Sequence, residues 1–299
     1  MASATAEINA SRVWWSALRP ATLAASVAPV LAGTAVAIHE RDLTKPWAGL
    51  LALVVALAMQ VGVNLANDYS DHVRGADSQR VGPPRAASSG VISPQRVRWA
   101  AIVAFGVAAL AGLWLSLAVD WRLLVVGATG LLAGWLYTGG PRPYGYLGLG
   151  EVFVFVFFGL VATLGTVYVE TGRLTAIAWL MACGIGFLAT AILVLNNLRD
   201  METDAAAGKR TLATRLGRRW TRALLVLLVA AAFTVPIVIF MTKLAPVTVM
   251  AMHFGIPIAS VPVRTALATT SAPALVKALK RMAAAELAYA LLFTIGILL

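Results

Sequence analysis

Residues 174–211 read LTAIAWLMACGIGFLATAILVLNNLRDMETDAAAGKRT, and they join a long apolar run to a charged segment. The run from 174 to 196 contains no Asp, Glu, Lys or Arg. About 20 consecutive apolar residues are enough for a helix to cross the hydrocarbon core of a bilayer. This stretch therefore predicts a membrane-spanning helix that delivers acidic side chains to one face of the membrane.

Similar apolar runs fill the rest of the chain. Of the 299 residues, 60% are hydrophobic and only 12% are charged, whereas soluble domains average about 25% charged residues. We expect a single all-α domain over residues 1–299, a polytopic membrane bundle of about nine helices. An N-terminal segment at 1–15 and polar loops at 67–98 and 197–221 lie outside the spans. The predicted spans are 20–38, 47–66, 99–118, 122–138, 150–169, 174–196, 222–241, 244–262 and 282–299.

The basic residues are distributed unequally between the two sides of this bundle. With nine spans, 19 of the 24 Lys and Arg residues fall on the side that carries the N-terminus and the two polar loops. Cytoplasmic loops are the ones enriched in Lys and Arg. We therefore expect a multi-pass protein of the cell (cytoplasmic) membrane, with both loops and the N-terminus in the cytoplasm. The net charge of +11 then reflects topology and contact with membrane lipids rather than nucleic acid.

Six of the 13 acidic residues form two short clusters, and both lie on the predicted cytoplasmic side. The stretches are NLANDYSDHVRGAD at 64–77 and NNLRDMETDAAAGKRT at 196–211, so asparagines precede the acids in each. Residues four apart share one face of a helix. Asn67 with Asp71, and Asn196 with Asp200 and Asp204, would thus present oxygen atoms to one side of each helix end.

Closely packed carboxylates near a bilayer need a neutralising partner. Mg²⁺ prefers oxygen ligands, and it commonly binds carboxylates together with substrate phosphates. Arg74, Lys209 and Arg210 lie within or just after the acidic stretches, and such cations favour a metal-bridged diphosphate over a simple metal cage. Two other interpretations are solvated charges at helix ends and an ion or proton pathway in a transporter. The position of the acids at helix ends, rather than mid-membrane, disfavours the pathway.

At these residues the chain resembles the UbiA-type intramembrane prenyltransferases, whose nine-helix bundle carries two aspartate-rich motifs. Asn67 and Asp71 fit the first motif, but its third position is Gly75 and the next acid is Asp77. This departure resembles one branch of the family, the 1,4-dihydroxy-2-naphthoate prenyltransferases of menaquinone synthesis. The same branch is similar at GPPRAASSGVIS (82–93), YTGGPRPYGYLGLGE (137–151) and GKRTLATRLG (208–217).

The resemblance implies a reaction. A polyprenyl diphosphate, bound through Mg²⁺ (two ions bridging the diphosphate), ionises to an allylic cation, and an electron-rich ring attacks that cation. In this branch the ring is 1,4-dihydroxy-2-naphthoate, which loses CO₂ to give a demethylmenaquinone. The alternatives are a UbiA-type enzyme with hydroxybenzoate or a similar acceptor, and a membrane transporter.

Site residues are assigned on this basis. Tyr137, before a Gly-Gly-Pro turn, would offer its ring to the allylic cation or its hydroxyl to the acceptor, unless it is an interfacial tyrosine. Tyr69 has the same alternatives, and Glu151 lines the pocket or complements a helix N-terminus. Asn67 and Asn197 support the metal ligands, and Arg74, Lys209 and Arg210 bind the diphosphate. The expected Mg²⁺ ligands are Asp68, Asp71, Asp200 and Asp204, with Asp77 as a further ligand at a displaced position.

Overall fold

The computed structural model of the chain describes residues 9–75, 85–140 and 143–299. These residues form a helical bundle, with a 3₁₀ turn at Tyr144–Leu147 between its fifth and sixth helices. The helices are α1 (Ala10–Leu18), α2 (Pro20–His39), α3 (Pro46–Val73), α4 (Pro94–Ala118), α5 (Leu123–Leu136), α6 (Gly150–Thr171), α7 (Ala176–Ala206), α8 (Leu212–Met241), α9 (Val247–Ala268) and α10 (Ala272–Leu298).

The predicted membrane bundle is confirmed. In the described part of the chain, eight helical stretches are long and apolar enough to cross a bilayer, with α1 and α2 forming one of them. The predicted span 122–138 corresponds to α5, which has only 14 residues. Large apolar side chains on α4 point outward, including Leu110 (70% exposed) and Leu117 (78% exposed). Such exposure is expected where a helix faces lipid rather than water.

The predicted polar segments 67–98 and 197–221 begin within helices. Helix α3 continues to Val73 and α7 continues to Ala206, so the described acidic residues of both segments lie at helix ends, namely Asp68, Asp71, Asp200, Glu202 and Asp204. Most of 197–221 is helical, because α8 already begins at Leu212. Asn and Asp can continue a helix when their side chains form hydrogen bonds or ion pairs with neighbouring elements. Chain reversal occurs later, at Gly75 and Gly208, which have φ values of 69° and 72° and adopt the left-handed conformation that glycine tolerates.

Helix α7 is the centre of the bundle. It has the most buried span, and α2, α8, α10 and α6 pack around it. The fully buried side chains Leu195, Tyr289 and Phe293 belong to the main core cluster. The acidic residues at the end of α7 therefore extend from the most buried of the described membrane-spanning helices.

Helices α6 and α7 approach each other closely through two glycines. A Cβ atom on Gly159 would lie 2.3 Å from the Cα atom of Gly186, so no larger residue fits there. Small residues allow membrane helices this close contact. Gly159 lies within a π-helical segment, Phe155–Val161, that interrupts α6. This contact fixes the height of α6 against α7 and thereby aligns the N-terminal residues of α6 with the acidic end of α7.

An apolar cavity of about 410 Å³ lies between α2, α3, α4, α5 and α6. Tyr137 and Tyr144 line it near the acidic end of the bundle, and Leu123 and Val169 line it near the opposite end. Since α5 spans 14 residues, the cavity follows that helix for about 21 Å at a rise of about 1.5 Å per residue. The bundle thus holds a long apolar space that begins beside the acidic clusters.

Candidate active site

Asp71 is the centre of the charged cluster. Its Oδ2 lies 2.8 Å from Nη1 of Arg85, and its Oδ1 lies 3.1 Å from Nζ of Lys209. The hydroxyl of Tyr146 also donates a hydrogen bond to Oδ1 at 2.8 Å. These partners come from three different connecting segments, so Asp71 ties the loops after α3, α5 and α7 to one point. The carboxylate is 4% exposed, which makes the two cations the counter-ions of a buried charge.

The second acidic cluster meets the first through Lys209. Nζ of Lys209 lies 3.6 Å from Oδ1 of Asp204, in addition to its contact with Asp71. Asp200 is held by Arg199, whose Nε donates to Oδ1 at 2.7 Å and whose Nη2 forms an ion pair with Oδ2. Asp204 interacts electrostatically with both Asp200 and Asp71. The structure therefore places Asp71 of α3 and Asp204 of α7 on one ammonium group, with Asp200 one turn before Asp204 on α7.

Asp68 is turned away from this group. Its Oδ2 accepts a hydrogen bond from the backbone N–H of Ala86 at 2.8 Å, and its Oδ1 accepts one from Ala87 at 3.4 Å. The side chain is 1% exposed. Asp68 thus holds the turn after Arg85, and its oxygens do not point at Lys209.

Asn67 and Arg74 fasten the segment after α5 to α3. The hydroxyl of Thr138 donates to Oδ1 of Asn67 at 2.5 Å. The guanidinium of Arg74 donates to the carbonyl oxygens of Thr138 and Gly140 and lies 5.4 Å from the ring centroid of Tyr146. Two predicted substrate-binding residues are therefore in contact with the loop that carries Tyr146.

Glu151 and Asn197 form a buried pair across the α6–α7 contact. Nδ2 of Asn197 donates to Oε1 of Glu151 at 2.9 Å, and both residues are 6% exposed. The other carboxylate oxygen, Oε2, is buried and has no hydrogen-bond partner among the described residues. Buried polar atoms of this kind call for a partner. Oε2 of Glu151 is thus an open acceptor beside the charged cluster.

Tyr137 lies between the charged cluster and the apolar cavity. Its ring lines the cavity and meets Tyr144 edge-on, with centroids 5.5 Å apart. Tyr144 in turn stacks on Phe153 at 3.9 Å. Burial, together with the nearby carboxylate of Glu151, raises the pKa of Tyr137. Its hydroxyl is therefore a neutral hydrogen-bond donor at the mouth of an aromatic-lined cavity.

Among the described residues, two predicted site residues are not part of this arrangement, Arg210 and Tyr69. The Arg210 side chain is exposed, and only its backbone joins the site, through a 3.0 Å hydrogen bond from its N–H to the carbonyl of Tyr146. Tyr69 lies on another face of α3, where Arg98 is 5.9 Å from its ring centroid. Asp77 lies outside the described residues. The first two show that proximity in sequence to an acidic cluster does not place a side chain in the site.

The carboxylates of the cluster keep Lys209 protonated. Burial alone would lower the pKa of Lys209. The negative charge of Asp71, followed by the interactions with Tyr146 and Asp204, outweighs the effect of burial and raises the pKa of Lys209. Burial and the Asp71 charge likewise raise the pKa of Tyr146. At neutral pH the site therefore contains a protonated lysine and a neutral phenol around a carboxylate.

The donor chemistry of the cluster fits a divalent cation. The Lys209 ammonium sits between a carboxylate of α3 and one of α7, which marks this point as one that favours positive charge. Carboxylate and amide oxygens are the ligands that Mg²⁺ prefers. Within the described ranges, no three His, Cys, Asp or Glu side chains are already grouped as a metal site. The carboxylates are paired with Arg85, Arg199 and Lys209 instead.

Sequence reasoning missed three residues of the site, namely Arg85, Arg199 and Tyr146. All three stand inside the motif stretches, at GPPRAASSG, NNLRD and PYGY. Their roles depend on which way each side chain turns from its loop or helix, and a motif does not specify this. The presence of an arginine or a tyrosine inside each of these motifs was the sequence feature that could have indicated a role in the site.

An apolar bundle with a charged site at one end and a long apolar cavity beneath it is suited to an enzyme that acts on a lipid-like anion. The UbiA prenyltransferase family profile matches residues 26–295. The chain therefore belongs to the UbiA family, and it is a multi-pass membrane prenyltransferase.

Several curated relatives of the chain share one enzyme name. The chain is 48% identical over 226 residues to the 1,4-dihydroxy-2-naphthoate octaprenyltransferase of Mycobacterium leprae, covering 76% of each protein. It is 40% identical over 218 residues to the enzyme of the same name from Escherichia coli, covering 71% of this chain and 70% of the relative. These similarities agree with the branch that the sequence motifs predict.

A solved structure shares the fold. A UbiA homolog from Archaeoglobus fulgidus, bound to GPP and Mg²⁺, superposes with a TM-score of 0.64 at 15% sequence identity, covering 94% of this chain and 99% of that one. At this identity the comparison supports the fold, and the predicted all-α membrane bundle agrees with it.

Proposed function

We propose that this chain transfers a polyprenyl group from a polyprenyl diphosphate to 1,4-dihydroxy-2-naphthoate, releasing diphosphate and CO₂ and giving a demethylmenaquinone, formed as the quinol. The observation that carries the proposal is the junction at Tyr137, where a cluster of cations and carboxylates meets an apolar cavity. A polyprenyl diphosphate has the same two parts, a charged head and an apolar chain. The named activity of the curated relatives supports the naphthoate as the acceptor.

The charged end would bind the diphosphate. Lys209, Arg85 and Arg199 supply positive charge, and Arg74 stands beside Tyr146 at the edge of the cluster. We propose Asp71, Asp200 and Asp204 as the residues that hold Mg²⁺, supported by Asn67 and Asn197. When bound, Mg²⁺ would neutralise charge on the departing diphosphate, and preorganised charge of this kind is often the largest contribution to catalysis.

The apolar cavity would hold the polyprenyl chain and protect the reaction from water. Cleavage of the bond between C1 of the prenyl group and the diphosphate oxygen leaves an allylic cation, which water would capture. Tyr137, Tyr144 and Phe153 form an aromatic wall at this position, and aromatic faces attract cations. Exclusion of water by an apolar site also strengthens every charge interaction within it.

The acceptor would react at the boundary between the two regions. An electron pair of the naphthoate ring forms the new bond to C1 from the ring carbon that bears the carboxylate. Loss of that carboxylate as CO₂ returns the electron pair of its carbon–carbon bond to the ring and restores aromaticity. The electron pair of the broken C1–O bond stays on the diphosphate, so the charges balance without a proton. Glu151, with one oxygen open, and the neutral hydroxyl of Tyr137 are placed to hydrogen-bond the acceptor's hydroxyl groups.

The uneven distribution of basic residues supports a cytoplasmic site in the cell membrane. Lys209, Arg85, Arg199 and Arg74 all belong to the side that the positive-inside rule assigns to the cytoplasm. The diphosphate head of the donor and the carboxylate of the aromatic acceptor are both water-soluble groups. They would therefore reach the site from the cytoplasm while the polyprenyl chain stays in the bilayer.

Product analysis with purified protein in nanodiscs tests this function. We expect mass spectrometry to find a prenylated naphthoquinol from the two substrates, with labelled CO₂ released from the acceptor carboxylate. EDTA and Asp71→Asn should each abolish turnover while the protein still folds. Prenylation of hydroxybenzoate in place of the naphthoate would indicate another acceptor, and substrate flux into proteoliposomes without conversion would indicate a transporter.

A further inference from the structure

We propose that Asp68 is a positioning residue for Arg85, and that Arg85 is a diphosphate-binding residue of the site. The inference rests on the proposed prenyl-transfer function and assigns two residues within it. Asp68 lies in the acidic stretch 64–77 and Arg85 in the stretch 82–93 that follows it, and their side chains point to different partners. Asp68 turns toward the chain after Arg85, and Arg85 turns toward Asp71.

The geometry of Asp68 favours an anchoring role. Each carboxylate oxygen already accepts a backbone hydrogen bond, from Ala86 at 2.8 Å and from Ala87 at 3.4 Å. The side chain is 1% exposed, and Ala86 and Ala87 are 0% and 3% exposed. A carboxylate committed to two backbone amides in a closed environment is poorly available to a metal ion. Asp71, three residues later on α3, forms ion pairs with Arg85 and Lys209, and the charges of Arg85 and Arg19 also act on Asp68.

The anchored turn is rigid where it carries Arg85. The hydroxyl of Ser89 donates to the carbonyl of Ala86 at 2.7 Å and closes the turn. A ring nitrogen of His72 lies 3.2 Å from the hydroxyl of Ser88, which ties the same turn to the end of α3. Ala86 and Ala87 also belong to a small apolar core with Leu65. The backbone on the C-terminal side of Arg85 is therefore fixed against α3.

Arg85 is placed to exchange one anion for another. Its Nη1 lies 2.8 Å from Oδ2 of Asp71 and donates to the backbone carbonyl of Asn67 at 3.1 Å. When Mg²⁺ and the diphosphate occupy the site, Asp71 gains the metal as its partner. The guanidinium is then available to a phosphate oxygen, and the planar fork of arginine suits phosphate geometry. Without the Asp68 anchor, the same side chain would lose its fixed direction.

The test compares Arg85→Gln, Asp68→Asn and the double variant, each as the full-length protein in nanodiscs. Asn is nearly isosteric with Asp, but its one amide oxygen can accept from only one of the Ala86 and Ala87 N–H groups, and its NH₂ group would oppose the other with a donor. We expect each single variant to raise KM for the polyprenyl diphosphate at least about tenfold, the size of one charge-assisted hydrogen bond. The double variant should be little worse than either single one, because both changes remove the same interaction. The Mg²⁺ concentration for half-maximal activity should stay within about twofold of wild type.

The opposite pattern would overturn the proposal. If Asp68 is a metal ligand, Asp68→Asn should raise the Mg²⁺ requirement strongly, and its effect should add to that of Arg85→Gln. Should Asp68→Asn fail to fold, Arg85→Gln decides alone, and an unchanged KM rules the proposal out. Arg98→Gln is the matched control, because Arg98 is an exposed arginine on α4 outside the charged cluster.

A binding measurement separates this proposal from the proposed function. Inorganic diphosphate with Mg²⁺ serves as the probe, and its affinity is measured by calorimetry without any acceptor. We expect wild type to bind it and both single variants to bind it at least about tenfold more weakly. If no acceptor is prenylated but this difference persists, the function fails and the assignment of Arg85 stands. If prenylation occurs and the variants bind diphosphate like wild type, the assignment fails alone.

Discussion

The ammonium group of Lys209 lies 3.1 Å from Oδ1 of Asp71, although the two residues are 138 positions apart in the chain. The same ammonium reaches Asp204 on α7 at 3.6 Å. One lysine thus joins the ends of α3 and α7, which carry the two acidic motifs. The charged cluster is a single site because of this contact, rather than two independent helix ends.

Lys209→Gln should abolish most of the activity and lower thermal stability. Removal of one partner from a buried ion pair costs about 3–5 kcal/mol, and Lys209 has two carboxylate partners. If a similar loss applies to diphosphate binding, kcat/KM falls by at least about 100-fold. Prenyl transfer and unfolding in detergent are measured together for the variant and wild type.

Arg219→Gln provides the control for charge loss alone, because Arg219 is exposed on α8 and lies beside Trp220. It should leave both activity and melting temperature close to wild type. A Lys209→Gln protein with normal kcat/KM would mean that Lys209 only balances the acidic charge.

How much of this site the sequence predicts depends on the scale considered. The spans follow from hydrophobic runs, and helix periodicity correctly places Asp71 and Asp204 on inward faces. The helices are longer than the predicted apolar spans, because hydropathy falls at Asn67 and Asn197 while helical hydrogen bonding continues to Val73 and Ala206. Hydropathy measures the cost of burial, and these polar residues are buried with partners.

Partner choice is the part that a motif cannot supply. Asp68 and Asp71 are equivalent in sequence, yet one binds backbone amides and the other binds Arg85 and Lys209. The two side chains are separated by about 60° around α3, and the difference arises mainly from the turn that packs against Asp68. Arg210 illustrates the same point, since its neighbour Lys209 enters the cluster and its own side chain is exposed.

Asn197→Leu should destabilise the protein through Glu151. The amide of Asn197 is the hydrogen-bond donor to Oε1 of Glu151, at 2.9 Å, and Oε2 has no such partner in the described structure. Loss of the donor would leave the buried carboxyl group without its side-chain hydrogen bond, at a cost of about 1–3 kcal/mol. Thermal unfolding in detergent at neutral pH measures the effect.

The double variant Asn197→Leu with Glu151→Leu tests the cause. Replacing both members of a buried polar pair by apolar groups is often nearly neutral, so the double variant should recover much of the lost stability. Its activity should stay low, since Glu151 is proposed to contact the acceptor. A double variant less stable than Asn197→Leu would contradict this account of the pair.

Gly165→Leu should shorten the polyprenyl chains that the enzyme accepts. Gly165 lines the cavity, and a Cβ built on it meets no atom within 4 Å. It stands 14 residues after Glu151 on α6, about 21 Å along the helix. A prenyl unit extends about 5 Å, since four carbon–carbon bonds of roughly 1.5 Å follow a zigzag. The new side chain would therefore meet the chain near its fourth unit.

Competition between short and long polyprenyl diphosphates, with mass spectrometry of the products, measures this shift. Gly106→Leu is the matched control, because Gly106 lies on α4 with open space at its Cβ but does not line the cavity. Its product distribution should equal that of wild type. An unchanged distribution for Gly165→Leu would mean that the chain does not follow this part of the cavity.

Asp120 gives the bundle a pH-dependent contact at the end opposite the charged cluster. Tyr168 on α6 donates a hydrogen bond to Oδ2, and the backbone N–H of Arg122 donates to Oδ1 at 2.9 Å. These bonds, that from Tyr168 foremost, lower the pKa of Asp120. A carboxyl whose pKa is lower when folded stabilises the protein above its unfolded value of about 3.9. This contribution is lost as the pH falls through the folded pKa.

Asp120→Asn should therefore lower the melting temperature at pH 7, and the gap to wild type should narrow as the pH falls below about 4 toward the lowered pKa of folded Asp120. Unfolding of both proteins in detergent between pH 3 and pH 7 measures the gap. Glu202→Gln is a suitable control, because the Glu202 side chain is 86% exposed in its ion pair with Arg218, and exposed ion pairs contribute little. A gap for Asp120→Asn that stays constant down to pH 3 would show that the lost stability comes from the shape of the side chain rather than from its charge.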